Sequence, residues 1–355
     1  MGAAVLTATR ARPALSEAAT PLAATYQVGL VDLDGVVCWG ERPVPHAAAA
    51  LNRACSAGMR PLFVTNNASR TPAEVVRLLQ GVGLAATERD IVTAAQAAAR
   101  LVASLVPPRS RILVIGGPAM ELALCEENLT PVRSAEDTPR AVVQGLSPEV
   151  DWRQLAEGAY AVARGLPWVV ANMDPAVPRD RGIAPGNGAM ASVIRIATGS
   201  EPLVAGKPER ALYQEALRRH GGGQALSIGD RLDTDIAGAG RLDMDSMLVL
   251  TGVTSVGDLI AAPPLHRPTY VAADLRGLLE AHPGVRCVGD GWHCAGWTAT
   301  AAAGEIGLRP ASAGAFDMNA VRAMCCAAWA AQDAGHAVSV PDEMREALSK
   351  PASTW

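Results

Sequence analysis

Short apolar segments without polar alternation recur along this chain of 355 residues, and most are followed by a segment with helical spacing. "VGLVDL", residues 28–33, is the first of them, and it is too short for a helix. Strands of this kind are buried on both faces, as in parallel sheets, whose successive strands need crossover connections. The alternation continues to about residue 280, and it predicts a doubly wound, Rossmann-like α/β core.

The same reasoning places the other elements. Further strands are predicted at "MRPLFVT", "RILVIGG", "PRAVVQGL", "PWVVAN", "ALSIGD", "SMLVLTG" and "PTYVAADL", and helices at 46–57, 71–83, 152–165, 184–199 and 211–223. Thr71 is the predicted N-cap of its helix, with Glu74 completing a capping box. The last 70 or so residues are rich in Gly and Trp, and they end in a helix predicted within 316–335. Its residues Val321, Met324, Cys325, Ala328 and Trp329 share one face, which is typical of packing.

Composition excludes several classes of function. The formal net charge is −4 and no Lys/Arg run occurs, so we expect no nucleic-acid partner. No apolar run approaches the ~18 residues of a membrane span. Seven scattered cysteines without CxxC spacing predict reduced thiols, no zinc site and a cytoplasmic location. Residues 1–25 lack the pattern of an export signal and are predicted to be a flexible tail.

Two aspartates, Asp32 and Asp34, end the first predicted strand, and Gly35 follows them. Close carboxylates repel each other unless a cation or a shared proton relieves them. The pair therefore indicates either a divalent metal or one protonated carboxyl group. An ordinary turn with two solvated acids is an equally good interpretation of this motif alone.

Polar groups also follow the second strand and precede a later helix. Thr65, Asn66 and Asn67 offer a hydroxyl and backbone N–H groups that suit an anion, although an ordinary helix N-cap would use the same residues. Lys207 stands in "AGKPE", and it is one of only two lysines among 31 basic residues. In such a chain a lysine indicates a compact charge for phosphate or carboxylate oxygens.

A third acidic group, Asp230, Asp233 and Asp235, follows the strand predicted at "ALSIGD". Ligands bind beyond the carboxyl ends of strands in doubly wound sheets. A few hard oxygen ligands that leave room for water and phosphate suit magnesium. Asp230 is the better ligand because it directly follows the strand, whereas Asp233 is compatible with a solvent-facing position.

Together, "DLDG", "TNN", Lys207 and "GDRLDTDI" resemble the four motifs of the haloacid dehalogenase superfamily over residues 26–280. The segment with "ANMDPAVP" and "PGNGAM" resembles the α/β cap of the type IIA phosphatases. The Trp-rich end is similar to that of actinobacterial glycerol 3-phosphate phosphatases. The resemblance implies a core at 26–98 and 204–280, a cap at 99–203 and an appended module at 281–355, for which we expect a role in stability or dimerisation.

The resemblance also implies residue roles. Asp32 would be the nucleophile that forms an aspartyl-phosphate, and Asp34 the general acid and base. Mg²⁺ would be held by Asp32, the backbone carbonyl of Asp34 and Asp230. Thr65, Asn66 and Lys207 would bind the phosphate oxygens, and Asp235 would orient Lys207 or the metal-bound waters. The remaining candidates, for substrate selection, are Asn67, Asn172, Asp174, Asn187, Gly188 and Arg231, of which the Asn and Asp residues are equally consistent with turn formation.

The implied enzyme is a magnesium-dependent phosphoric monoester hydrolase acting on a small phosphorylated metabolite. D-glycerol 3-phosphate is the leading substrate. Phosphoglycolate and nucleoside monophosphates are alternatives within the same class. A phosphosugar-binding regulator without turnover is an alternative from another class, and it would need neither Asp34 nor Asp230. The sequence leaves monomer and homodimer both open.

Overall fold

The computed structural model describes residues 14–179, 181–311 and 316–341. They form two compact units. The first comprises the described residues within Met1–Leu62, Val82–Leu84 and Gly223–Trp355, and the second comprises those within Phe63–Gly81 and Ala85–Gly222. The boundary passes through one strand, between Leu62 and Phe63. The domain limits implied by the motifs stay a prediction.

The elements alternate along the described residues as the sequence predicts up to about residue 280. The helices are α1 (Leu22–Thr25), α2 (Ala47–Ser56), α3 (Pro72–Gly81), α4 (Ala94–Leu105), α5 (Pro118–Glu126), α6 (Trp152–Ala163), α7 (Asn187–Thr198), α8 (Arg210–His220), α9 (Ala237–Arg241), α10 (Val256–Ile260) and α11 (Met318–Asp333). The first twelve strands are β1 (Val28–Val31), β2 (Cys38–Trp39), β3 (Arg42–Pro43), β4 (Arg60–Thr65), β5 (Ile91–Thr93), β6 (Arg111–Ile115), β7 (Thr130–Val132), β8 (Ala141–Gln144), β9 (Trp168–Val170), β10 (Ala176–Arg179), β11 (Gly182–Pro185) and β12 (Leu203–Val204). The others are β13 (Ala225–Gly229), β14 (Asp245–Val249), β15 (Tyr270–Ala272), β16 (Arg286–Val288), β17 (Gly291–Cys294), β18 (Trp297–Ala302) and β19 (Glu305–Pro310).

The sheet of the first unit has the order β15-β14-β13-β1 and continues to β4. β1, β13, β14 and β15 pair in parallel, with Val28 opposite Ala225 and Val31 opposite Ile228. All four residues of β1 are buried, as the absence of alternation predicts. Parallel pairing of β1 with β13 brings the segments that follow them to one edge of the sheet.

The second unit contains the last residues of β4, which pair in parallel with β5, and a five-stranded sheet of order β12-β9-β8-β6-β7. The pairs within this sheet are parallel. Helices α6 and α7 cover one side, where Leu113, Val142 and Val170 pack with Ala161 and Ile194. This is the α/β layer expected from the segments between "TNN" and Lys207.

The region after residue 285 forms a four-stranded antiparallel sheet, β16 to β19, against which α11 packs. No strand is predicted there from the sequence. The strands join through tight turns at Gly289, Gly296 and Gly304, all with positive φ, so glycines typical of an irregular loop are instead hairpin turns. The predicted packing face of α11 is confirmed, because all five of its residues are fully buried.

The predicted flexible tail is wrong for residues 14–25, and residues 1–13 lie outside the described part. Leu15 and Leu22 are buried, and Ser16 N–H donates to the Thr269 carbonyl (2.9 Å). Two apolar side chains are thus held in the first unit, although alanine-rich sequence around them carries no clear periodicity. Within the described residues, no helix has the length and hydropathy needed to cross a membrane.

Candidate active site

An acidic cluster lies at the edge of the first unit's sheet. Asp32 directly follows β1, and Asp230 directly follows β13. Asp235 joins them five residues later, and one carboxylate oxygen from each residue lies within 4.8 Å of the others. Asp230 and Asp235 are 1% exposed and Asp32 is 9% exposed. Three carboxylates so close together repel one another unless a cation or a shared proton relieves them.

Glycines let the backbone close around Asp230. Val253 N–H donates to Asp230 Oδ2 (2.7 Å), and Thr254 N–H donates to the Asp230 carbonyl (3.3 Å). A Cβ at Gly35 would lie 2.5 Å from Asp230 Oδ2, and one at Gly252 would collide with the same carboxylate. Gly35 also has φ +83°, which favours glycine. Gly35 belongs to the "DLDG" motif, whereas Gly252 lies outside every motif and is not predicted from the sequence.

Asp235 takes its position from a single π-helical turn, Leu232–Ile236. Its Oδ2 atom accepts the Arg231 N–H (3.2 Å), and Ser227 Oγ donates to its carbonyl (3.4 Å). Such turns are rare and often lie at functional sites. The turn carries Asp235 into the cluster, a position that the spacing of "LDTDI" alone does not specify.

Asp233 turns away from the cluster, which agrees with a solvent-facing position. Its carboxylate forms a bidentate pair with Arg231, at 3.1 Å from Nε and 2.8 Å from Nη2. Burial acts to raise the pKa of Asp233, but the hydrogen bond and charge of Arg231 outweigh it, and the pKa is lowered. The Arg231 guanidinium is therefore engaged with Asp233, and its predicted role in substrate selection stays a prediction.

The donor set fits a hard divalent cation. All three members are carboxylates, and oxygen ligands in small number are those that Mg²⁺ prefers. Asp34, whose side chain is exposed, does not contribute its carboxylate to this cluster. The expectation that Asp34 offers a metal only its backbone carbonyl stays a prediction. Asp235, in contrast, lies inside the cluster rather than behind it, so its carboxylate is a ligand candidate as well.

The second unit holds a separate polar group built on the "TNN" loop. Thr65 ends β4 and is 2% exposed, and its Oγ1 accepts the Asn67 N–H (3.0 Å). Lys207 N–H donates to Asn66 Oδ1 (2.7 Å), and Asn66 Nδ2 donates to the Lys207 carbonyl (3.1 Å). Lys207 Nζ donates to the Val64 carbonyl (3.1 Å) and is 4% exposed as a residue. The structure thus brings Thr65, Asn66 and Lys207 together, as expected.

Four of the residues predicted to select the substrate lie beside this group. They are engaged there in hydrogen bonds with other residues of the protein. Asn172 Nδ2 donates to the Asn66 carbonyl (2.7 Å), and Asn187 Nδ2 donates to the Asn172 carbonyl (2.7 Å). Asp174 Oδ2 accepts the remaining Asn66 amide hydrogen (3.2 Å). Gly188 N–H donates to the Asp174 carbonyl (2.9 Å), and a Cβ there would collide with the Met173 carbonyl. These contacts favour a role in holding the phosphate-binding loop.

Asn67, the remaining selection candidate, folds back on its own loop. Its Oδ1 accepts the N–H groups of Ser69 (2.8 Å) and Arg70 (3.2 Å). Its bonding is that of a local turn former. Its predicted contact with substrate is untested.

Comparison with known proteins identifies the family to which the chain belongs. A family model described as "Haloacid dehalogenase-like hydrolase" matches residues 29–130, and a second, HAD-hydrolase-like model matches residues 204–278. A D-glycerol 3-phosphate phosphatase of Mycobacterium tuberculosis is 49% identical over 249 residues, which cover 70% of each chain. The chain belongs to the haloacid dehalogenase-like hydrolase family. The predicted membership is confirmed.

Other relatives show how far the likeness extends. A 5'-nucleotidase of Bacillus subtilis is 34% identical and matches 71% of this chain and 96% of its own. The crystal structure of a glycerol phosphate phosphatase from M. tuberculosis in complex with magnesium has a TM-score of 0.82 at 41% identity, and covers 93% of this chain and 97% of its own. A p-nitrophenyl phosphatase from Archaeoglobus fulgidus has a TM-score of 0.67 at 27% identity, over 72% and 98%. The predicted α/β fold class is confirmed.

Proposed function

We propose that this haloacid dehalogenase-like hydrolase is a magnesium-dependent phosphatase that converts D-glycerol 3-phosphate to glycerol and phosphate. The three-carboxylate cluster of Asp32, Asp230 and Asp235 carries the proposal, because such a cluster suits a divalent cation beside an anionic ester. The names of the two M. tuberculosis relatives support D-glycerol 3-phosphate as the substrate. The predicted class, a phosphoric monoester hydrolase, agrees with the names of the relatives.

In the proposed reaction, an oxygen of the Asp32 carboxylate attacks phosphorus, and the ester P–O bond breaks to give an aspartyl-phosphate. Asp34 donates its proton to the leaving alkoxide oxygen. It then takes a proton from the water that attacks phosphorus, so that phosphate leaves and Asp32 is restored. Bound Mg²⁺ supplies the positive charge that lets one anion approach another.

The second unit's residues would bind rather than react. The Lys207 ammonium and the Thr65 hydroxyl are the charged and neutral donors proposed for the phosphate oxygens. The side-chain amide of Asn66 has other partners. Both hydrogens and the oxygen of its amide are engaged with Lys207 and Asp174, so we propose that its backbone N–H, and not its side chain, meets the phosphate.

A panel of phosphate esters tests the proposal. Purified protein with Mg²⁺ should have its highest kcat/KM for D-glycerol 3-phosphate among esters that include phosphoglycolate, AMP and p-nitrophenyl phosphate. Asp32→Asn should abolish turnover of every ester. Release of no phosphate above the level of that variant would overturn the enzymatic proposal. A preference for AMP would instead favour the activity named for the B. subtilis relative.

The finer expectations about partners stay predictions. A homodimer, the absence of a nucleic-acid partner and a cytoplasmic location each need direct measurement. Sedimentation of the purified chain would settle the first, and cell fractionation would settle the last.

A further inference from the structure

A cavity of about 230 Å³ lies in the second unit, lined by residues that follow β6 and β8. These strands are neighbours in the sheet order β12-β9-β8-β6-β7. From β6 the chain passes through α5 to β7 on one side, and from β8 it passes through α6 to β9 on the other. The strand order therefore reverses between β6 and β8. Ligands of doubly wound sheets bind in the crevice at such a reversal.

The cavity wall continues into the "TNN" loop. Ser69 lines the cavity, and it is four residues beyond Thr65. Asn67 Oδ1 accepts both the N–H (2.8 Å) and the O–H (2.9 Å) of Ser69. Gly145 directly follows β8, and a Cβ there would lie 3.2 Å from the Cβ of Ala68. The loop proposed to bind phosphate is thus packed directly beside the segment that leads into the cavity.

Three polar side chains line the cavity. The Ser147 side chain belongs to a residue only 7% exposed, and its Oγ accepts the Glu149 N–H (3.3 Å), which leaves its own hydrogen as a donor. Ser69 Oγ donates to Asn67 and keeps an oxygen that can accept. Glu149 is exposed, and its carboxylate only accepts. The walls therefore offer one hydroxyl donor and several acceptors.

The other walls are small or apolar. Gly117 begins the approach to α5, and a Cβ there would lie 3.2 Å from Ser147 Oγ, so a side chain would narrow the cavity. Pro118, Leu146 and Pro148 supply the apolar surface. None of the described lining residues is aromatic, so the cavity lacks the flat partner on which a nucleobase would stack.

We infer that this cavity binds the alcohol part of the substrate, and that Ser69, Ser147 and Glu149 select a small neutral polyol as that alcohol. The inference rests on the proposed phosphatase function and deepens it. Hydroxyl groups donate to Ser69 and Glu149 and accept from Ser147. A carboxylate, as in phosphoglycolate, faces the like charge of Glu149. These three residues are absent from the candidates that the motifs suggest.

The test uses full-length protein with Mg²⁺ and compares kcat/KM for three esters: D-glycerol 3-phosphate, phosphoglycolate and p-nitrophenyl phosphate. Ser147→Ala should lower the ratio of glycerol 3-phosphate to p-nitrophenyl phosphate about fivefold, mainly through KM, because one hydrogen bond to the alcohol is lost. Glu149→Gln, at an exposed site, should raise the ratio of phosphoglycolate to glycerol 3-phosphate about fivefold. Ser104→Ala and Glu136→Gln, exposed in the same unit, are matched controls.

The outcomes separate the two proposals. If the wild-type protein prefers glycerol 3-phosphate but Ser147→Ala and Glu149→Gln leave both ratios within twofold of the controls, the cavity is not the alcohol site and only this inference fails. If the wild-type protein prefers phosphoglycolate in this test, the proposed substrate and the polyol site fail together. Altered ratios in the two variants, with unaltered controls, support the site.

Discussion

The side-chain amide of Asn66 pairs with the backbone of Lys207 in both directions, accepting its N–H at 2.7 Å and donating to its carbonyl at 3.1 Å. The Asn66 side chain thus forms the pair of hydrogen bonds that usually joins two backbone segments. The two residues are 141 positions apart in the sequence. Gly206, the preceding residue, has no room for a Cβ, which would lie 2.6 Å from Asn66 Oδ1. Asn66 therefore fixes the position of the Lys207 backbone, and with it the point from which the lysine side chain extends.

Removing this amide should misplace the lysine. Asn66→Ala should lower kcat/KM for D-glycerol 3-phosphate at least tenfold and lower the free energy of unfolding by about 1–3 kcal/mol, because buried partners lose their hydrogen bonds. Steady-state kinetics and urea unfolding measure the two effects. Asn52→Ala is the matched control, since its exposed side-chain amide donates to the Gly83 carbonyl (3.3 Å), outside the polar group. Equal kinetic losses in both variants would contradict a positioning role for Asn66.

The acidic cluster gives a prediction about metal binding. Asp230→Asn should weaken Mg²⁺ binding at least tenfold in calorimetric titration, because a buried carboxylate of the cluster loses its charge. Asp233→Asn is the control, since that side chain pairs with Arg231 outside the cluster. Chelation with EDTA should abolish phosphate release, and added Mg²⁺ should restore it. The assignment of Asp230 as a Mg²⁺ ligand fails if the two variants bind Mg²⁺ equally well.

How much the sequence predicts depends on the range of the interactions. Asp32 and Asp230 can be predicted because each directly follows an apolar strand. Parallel pairing of the two strands then places both residues at the same edge of the sheet. The capping box of α3 is equally local, and it is confirmed by the Thr71 N–H bond to Glu74 Oε2 (2.7 Å). Short-range patterns of this kind carry their own geometry.

Other features depend on contacts that no local pattern encodes. Ser147 and Glu149 look like ordinary loop residues until the fold places them around one cavity with Ser69 and Gly117. The inward turn of Asp235 requires a π-helical turn that the letters "LDTDI" do not specify. In the antiparallel sheet after residue 285, glycine turns hide the strand pattern. Each case is settled by tertiary packing, which overrides local preference.

The buried His282 predicts a pH dependence of stability. Burial is the main reason that its pKa falls from 6.5 to about 4, opposed by its bond to the Gly277 carbonyl (2.9 Å) and reinforced by Arg322. Because that carbonyl can only accept, His282 Nε2 carries the hydrogen, and Nδ1 can accept from Arg322 Nη2 (3.4 Å). The native state therefore holds the neutral ring, also packed against Tyr270.

Between these two pKa values the unfolded chain binds a proton that the native state does not. The contribution of His282 is thus fully present above about pH 6.5 and is lost as the pH falls towards 4, by about 3 kcal/mol in total. Urea unfolding at pH 7.5, 6 and 5 measures the slope. His282→Gln should flatten it relative to the wild-type protein, whereas the exposed control His336→Gln should not. Parallel slopes in all three proteins would exclude this origin.

Arg267 predicts how firmly the last helix is attached to the first unit. Its side chain is fully buried, and Nη1 donates to Asp333 Oδ2 (2.7 Å) near the end of α11. Nε donates to the Ala262 carbonyl (3.2 Å), and the guanidinium lies 5.4 Å from the ring centre of Trp329. One planar group thus satisfies partners on α11 and on the segment after α10.

Arg267→Met should therefore lower the free energy of unfolding by about 3 kcal/mol, because the carbonyl and the carboxylate lose their donor. Arg267→Lys should recover only part of this loss, since an ammonium lacks the planar fork. Asp333→Asn, at a partly exposed position, should cost at most about 1 kcal/mol. Urea unfolding followed by tryptophan fluorescence measures all three. A loss for Arg267→Met no larger than that for Asp333→Asn would mean that apolar packing alone, through Trp329 and its neighbours, holds α11 in place.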